Sequence, residues 1–188
     1  MIRNTTTTYG SISKFLHWSM ALGVIMMLII GFTMGSFAEP LQSKMYGYHE
    51  ELGLTILGLL LFRIYWRWWN PVPALPGTIP TWQRALSSLT HYLLYLALAV
   101  MIGSGWAKST ASGYTPNFYG LFELPMPFVP VNVAVKHLAK NIHLTTVWVI
   151  ISLVSLHILA ALHHHFIIKD NILRRMLPSK WVKPSPRL

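Results

Sequence analysis

Residues 142–168 read IHLTTVWVIISLVSLHILAALHHHFII, and the fold turns on this stretch. It reads as one membrane-spanning helix with a histidine near each end. His143 and His157 stand 14 residues apart. At about 100° per residue they lie roughly 40° apart around the axis, so they share a face. At about 1.5 Å per residue they are roughly 21 Å apart along it. One face thus offers two imidazoles at two depths of a hydrocarbon core about 30 Å thick. Ionisable side chains within a bilayer are costly and face functional interiors. Two such ligands suit two stacked haems. The plainer alternative is a pair of histidines that hydrogen-bond neighbouring helices.

Composition supports the membrane reading. Charged residues make up 11% of the 188, against about 25% in soluble proteins. Long apolar runs recur, and eight Trp and eight Tyr can supply interfacial belts. There is no cysteine, which excludes disulfides, iron–sulfur clusters and covalently attached c-type haem. Any haem is then b-type.

Working outward, FLHWSMALGVIMMLIIGFTMGSF (15–37) is too long for the apolar core of a signal peptide, and no clean small-residue cleavage site follows it. It reads as a first helix. A second runs over 48–69 and stops at NPVPALPGTIP, because repeated prolines cannot continue a helix. A third covers 86–107 and the fourth 142–168. Residues 108–141 form the longest connection. Its Pro- and aromatic-rich part suits the membrane surface, and 131–141 reads as a short interfacial helix. The expected fold is all-α: one domain over 1–188, an integral membrane four-helix bundle with both termini on one side.

That side carries 11 of the 15 Lys and Arg residues. The positive-inside rule makes it cytoplasmic, as in a multi-pass protein of the bacterial inner membrane. The basic excess then faces anionic membrane lipid, and a nucleic-acid partner is not expected.

Topology assigns depths. His49 and His143 fall near the outer face, His17 and His157 near the cytoplasmic face. Two bis-histidine pairs follow, with His91 as the competing inner partner of His157. Such iron transfers electrons and does not readily bind oxygen. Arg63 lies 14 residues after His49, at inner depth, where it can meet a haem propionate or snorkel to the interface. Lys14 is a weaker propionate candidate. His164 is seven residues beyond His157 and shares its face; a proton-carrying group there suits quinone reduction. The flanking His163 and His165 read as a hydrated cluster at a helix end.

Four segments resemble the prokaryotic cytochrome b561 family. They are ISKFLHWSM (12–20), YHEELGLTILGLLLFRIYWRWWNPVPALP (48–76), LTHYLLYLAL (89–98) and 142–178, which ends KDNILRRMLP. The resemblance implies two b-type haems on His17, His49, His143 and His157, and electron exchange with membrane quinone. Some members of that family resemble superoxide oxidases, which pass electrons from superoxide to ubiquinone. On that reading Lys108 and Lys136, among four outer lysines, would attract the anion. The competing reading is a haem-bearing anchor subunit that docks a partner redox subunit, of hydrogenase or formate dehydrogenase type. A transporter would need carboxylates or broken segments in the helix interiors, and these show none.

Overall fold

The computed structural model describes residues 1–177. Four long helices dominate: α1 (Ser11–Thr33), α2 (Leu41–Trp69), α3 (Thr81–Ala111) and α4 (Val133–His163). A short 3-10 turn, Met34–Ser36, prolongs α1, and a π-helical turn, His164–Ile168, prolongs α4. A five-residue helix, α5 (Ile172–Met176), follows. Between α3 and α4 a small antiparallel hairpin pairs β1 (Asn117–Phe118) with β2 (Phe122–Glu123). Three helical stretches, Ser11–Ser36, Thr81–Ala111 and Val133–Ile168, are long and apolar enough to cross a membrane. In α2, Lys44, Glu50, Glu51, Arg63 and Arg67 dilute the apolar residues.

The helices begin earlier than hydropathy indicates. α1 starts at Ser11, α2 at Leu41 and α3 at Thr81, and α3 runs on to Ala111. Residues 133–141 are no separate interfacial helix but the first turns of α4. Nothing between Val133 and Ile142 breaks a helix. The Asn132 side chain caps it by accepting from the Ala134 and Val135 amides at 2.8 and 3.1 Å. Hydropathy sees only the part a bilayer would bury. A helix of 31 residues is about 46 Å long, well beyond a core of about 30 Å.

The bundle is two hairpins. α1 packs along α2, and α3 packs still more closely along α4. Contact between the hairpins is sparser: α2 meets α3, while α1 and α4 scarcely touch along their lengths. At the end where α1 begins, α5 bridges that gap. Trp18 Nε1 donates to the Met176 carbonyl and Lys14 Nζ to the Leu177 carbonyl, both at 2.8 Å. The N-terminal segment closes the same end. Asn4 Nδ2 donates to the Pro71 carbonyl at 3.0 Å, and its Oδ1 accepts from the Gly10 amide and Ser13 hydroxyl. Gly10 permits this fold-back: a Cβ there would sit 2.2 Å from the Ile2 carbonyl oxygen. Arg3, Lys14, Arg63, Arg67, Arg84, Lys169, Arg174 and Arg175 gather at this end, called the basic end below. The cations of the tail from Pro178 onward lie outside the described residues.

At mid-height Met20, Ile56, Leu60 and Ile102 form the buried core, with Met27, Leu52 and Leu98 packed on it. Outward faces are apolar too, with Leu22, Ile29, Leu61, Trp148 and Leu159 exposed, as lipid contact requires. Leu60, 1% exposed, contacts both hairpins' core residues. Leu60→Ala is therefore expected to lose about 2–4 kcal/mol, seen as a lower midpoint of thermal unfolding in detergent; an unchanged midpoint would show that the core is not where the hairpins are held.

Candidate functional site

The histidines singled out by spacing meet across the seam between the hairpins, at two levels. Away from the basic end, His49 of α2 faces His143 of α4 with ring centroids 6.2 Å apart. At the basic end, His17 of α1 faces His157 of α4 at 6.0 Å. His91 of α3 also reaches His157, at 5.3 Å. The apolar core of Met20, Ile56, Leu60 and Ile102 lies between the two levels. All five imidazoles are half-buried.

Glycines seat the upper pair. A Cβ on Gly31 of α1 would lie 3.3 Å from the His49 ring, and one on Gly105 of α3 would lie 2.9 Å from His143. His143 Nδ1 donates to the Met101 carbonyl at 2.9 Å. That bond keeps the proton on Nδ1 and leaves the Nε2 lone pair free, the arrangement metal-bound histidines adopt. His49 Nδ1 is buried and has no hydrogen-bond partner. No protein group therefore fixes the tautomer of His49, unlike that of His143.

At the basic end the two rivals differ. His91 Nδ1 donates to the Ser87 carbonyl at 2.6 Å, which again frees Nε2. His17 Nδ1 has a 3.4 Å contact with Arg63 Nη2; a guanidinium only donates, so that contact asks Nδ1 to accept. Arg63 also donates from Nε to the Tyr95 hydroxyl at 2.9 Å. It borders a cleft with Tyr9, Trp66, Arg67, His91 and Tyr95. Burial raises the Tyr9 phenol above its ordinary pKa, with Arg67 and Arg63 opposing, so it stands neutral beside the guanidinium groups. Lys14 is committed to the Leu177 carbonyl instead of facing this cleft.

The remaining sequence-derived residues occupy the two ends. Lys108 closes α3 away from the basic end, with Nζ 6.0 Å from the Tyr46 ring centre. Next to it Ser109 donates to Glu50. Lys136 lies two turns before His143 and on its face of α4. His164 opens the π-helical turn, and its Nδ1 donates to Asp170 Oδ2 at 2.5 Å. His163 is exposed and His165 Nδ1 is buried without a partner. Among the described residues no group of three or more His, Cys, Asp or Glu side chains is placed to hold a bare metal ion.

The sequences agree with this geometry. A family model described as prokaryotic cytochrome b561 matches residues 8–179. The chain belongs to the prokaryotic cytochrome b561 family. It is 32% identical over 179 residues to cytochrome b561 homolog 2 of Escherichia coli K12, covering 93% of each chain. It is 33% identical to that organism's cytochrome b561 homolog 1 over 171 residues, 88% of this chain and 94% of the relative. At 28% identity over 173 residues it resembles the probable superoxide oxidase CybB of Yersinia pestis, covering 92% and 97%. Membership makes this a helical membrane protein that carries electrons on b-type haem.

The donor set fits that group. His49 and His143, with rings 6.2 Å apart, and His17 and His157, with rings 6.0 Å apart, are the residues that would hold it, each pair from two helices; His91 and His157 stand closer, at 5.3 Å. The glycine seats and the tautomer of His143 were invisible to spacing arguments, since each depends on a partner helix. The nearest signal was the small-residue run GSG at 103–105, within reach of no histidine in sequence.

Gly105→Ala should drive the His143 ring off its seat. The expected result is a broadened or lost absorbance for one haem with the other retained. Gly103→Ala, with nothing within 4 Å of its Cβ position, should leave both bands as in the parent.

Proposed function

We propose that this cytochrome crosses the bacterial inner membrane four times, with α2 as the fourth span and both termini cytoplasmic. On this reading it holds two b-type haems, one between His49 and His143 near the periplasm and one between His17 and His157 near the cytoplasm. Electrons from superoxide enter at the first and leave to ubiquinone at the second. The reaction is that of a superoxide:ubiquinone oxidoreductase. The observation that carries it is the pair of histidine pairs, one at each end of the seam, with rings 6.2 and 6.0 Å apart.

When bound, haem would supply reversible one-electron transfer, and His49, His143, His17 and His157 would hold it. The chain's own residues do the rest. The Met101 carbonyl orients His143, and Gly31 and Gly105 leave room for the upper rings. Arg63 supplies the positive charge a propionate needs in a low-dielectric interior. The apolar core between the levels keeps water and protons from following the electrons. Lys108 and Lys136 add local positive charge at the outer end, although Glu50, beside Lys108, limits it. His164 stands at the cytoplasmic end as the group that meets the quinone and delivers a proton. The superoxide reading is supported by the likeness to the Yersinia pestis relative, and by a site that serves a one-electron donor without a hydride cofactor.

The purified protein should bind two haems per chain, both low-spin. His143→Ala should remove the outer one and His157→Ala the inner one, each leaving its neighbour. His17→Ala should cost one haem and His91→Ala none; the reverse result exchanges the ligand roles. Superoxide generated in a stopped-flow cell should reduce the wild-type haems, and a soluble ubiquinone analogue should reoxidise them. His164→Ala should keep both haems and the first step but slow the second. No reduction by superoxide would point instead to an anchor for a partner redox subunit, which an inventory of co-purifying chains would identify.

A further inference from the structure

The π-helical turn builds a feature that face-counting along α4 does not contain. After His163 the helix widens, and Lys169 takes a left-handed conformation, with φ of 60° and ψ of 30°. Its amide and that of Asp170 both donate to the His164 carbonyl. The chain is thereby turned back on itself, and the Asp170 carboxylate meets the His164 ring. Oδ2 accepts from Nδ1 at 2.5 Å, and Oδ1 accepts from the Ile172 amide at 3.0 Å. Both oxygens are thus engaged, one on the imidazole and one at the start of α5. Among the described residues this is the sole ion-pair contact. Asp170 is the one acid at a basic end that carries eight described cations. Nε2 of His164 has no protein partner among the described residues. Wide turns of this kind are uncommon and gather at functional sites.

We propose that Asp170 is a positioning residue for His164, which it holds with Nδ1 protonated and Nε2 left to exchange protons with a bound quinone. This rests on the quinone reading of His164 given above. Reduction of one quinone to its quinol takes two electrons, which the donor supplies one at a time, and two protons. As the His164 Nε2–H bond breaks, an O–H bond forms on the reduced quinone oxygen. The ring then regains its proton from cytoplasmic water and can deliver the second. A carboxylate on Nδ1 fixes the ring's orientation and offsets the positive charge it carries while both nitrogens are protonated. Asp170 acts through His164 and need not touch the quinone.

The test uses the purified two-haem protein, a short-chain ubiquinone analogue and three variants: Asp170→Asn, Asp170→Glu and His164→Ala. Asp170→Asn removes the charge and keeps one acceptor oxygen, for the ring or for the Ile172 amide but not both, so hydrogen exchange at α5 is read beside the rate. The variant is expected to lower the limiting rate of haem reoxidation by about tenfold or more, with half-saturation unchanged. Binding of the analogue to the oxidised protein and hydrogen exchange over residues 164–176 should match the parent. Asp170→Glu should recover much of the rate. If His164→Ala is slow while Asp170→Asn matches the parent, the inference fails and the quinone reading stands. If neither variant slows reoxidation, the quinone reading itself falls. If Asp170→Asn slows it only with faster exchange across α5, or Asp170→Glu recovers nothing, Asp170 is structural and the proposal is overturned.

Discussion

A neutral imidazole inside a bilayer still carries one donor and one acceptor, and each costs free energy unless something meets it. That constraint organises this molecule. Gly31 and Gly105 stand where they leave room for the rings of His49 and His143 at the seam. His143 meets the constraint by donating Nδ1–H to a neighbouring helix carbonyl. His49 leaves a nitrogen orphaned in the bare chain. Contact between the hairpins is sparser than within them, and the members of the two histidine pairs face each other there. The proposed cofactor would sit at the one interface between the two helix pairs.

The apolar core has a second duty besides adhesion. Met20, Ile56, Leu60 and Ile102 stand between the two histidine levels, where polar side chains would invite water. An electron can cross such a barrier; a hydrated proton cannot. The chemistry on either side can therefore draw its protons from its own compartment. The positions of Arg63, Tyr95 and His164, all at the basic end, agree with the proposed uptake of protons on that side.

Much of this was legible in the chain itself. The 14-residue interval between His143 and His157 carries the two-level design, and depth alone pairs His49 with His143. Prolines from 71 to 80 end α2 as expected. What escaped has physical causes. The early start of α4 at Val133 is polar and capped by Asn132, so hydropathy passes over it. Depth and the neighbouring Trp18 favour His17 over His91 in the sequence, but how their hydrogen bonds and spacing to His157 differ depends on other helices. The glycine seats belong to contacts between helices distant in sequence. The meeting of His164 with Asp170 depends on a widened turn that breaks the 3.6-residue period used to count faces.

The near absence of contact between α1 and α4 bears on how the protein is made. Each hairpin can enter the membrane as a unit, with its own helix–helix packing already formed, before anything joins the two. A cofactor held at the seam would then have a flank to enter by, between α1 and α4. Because Lys14 and Trp18 are held by the carbonyls of Leu177 and Met176, α5 works as a latch between the two hairpins.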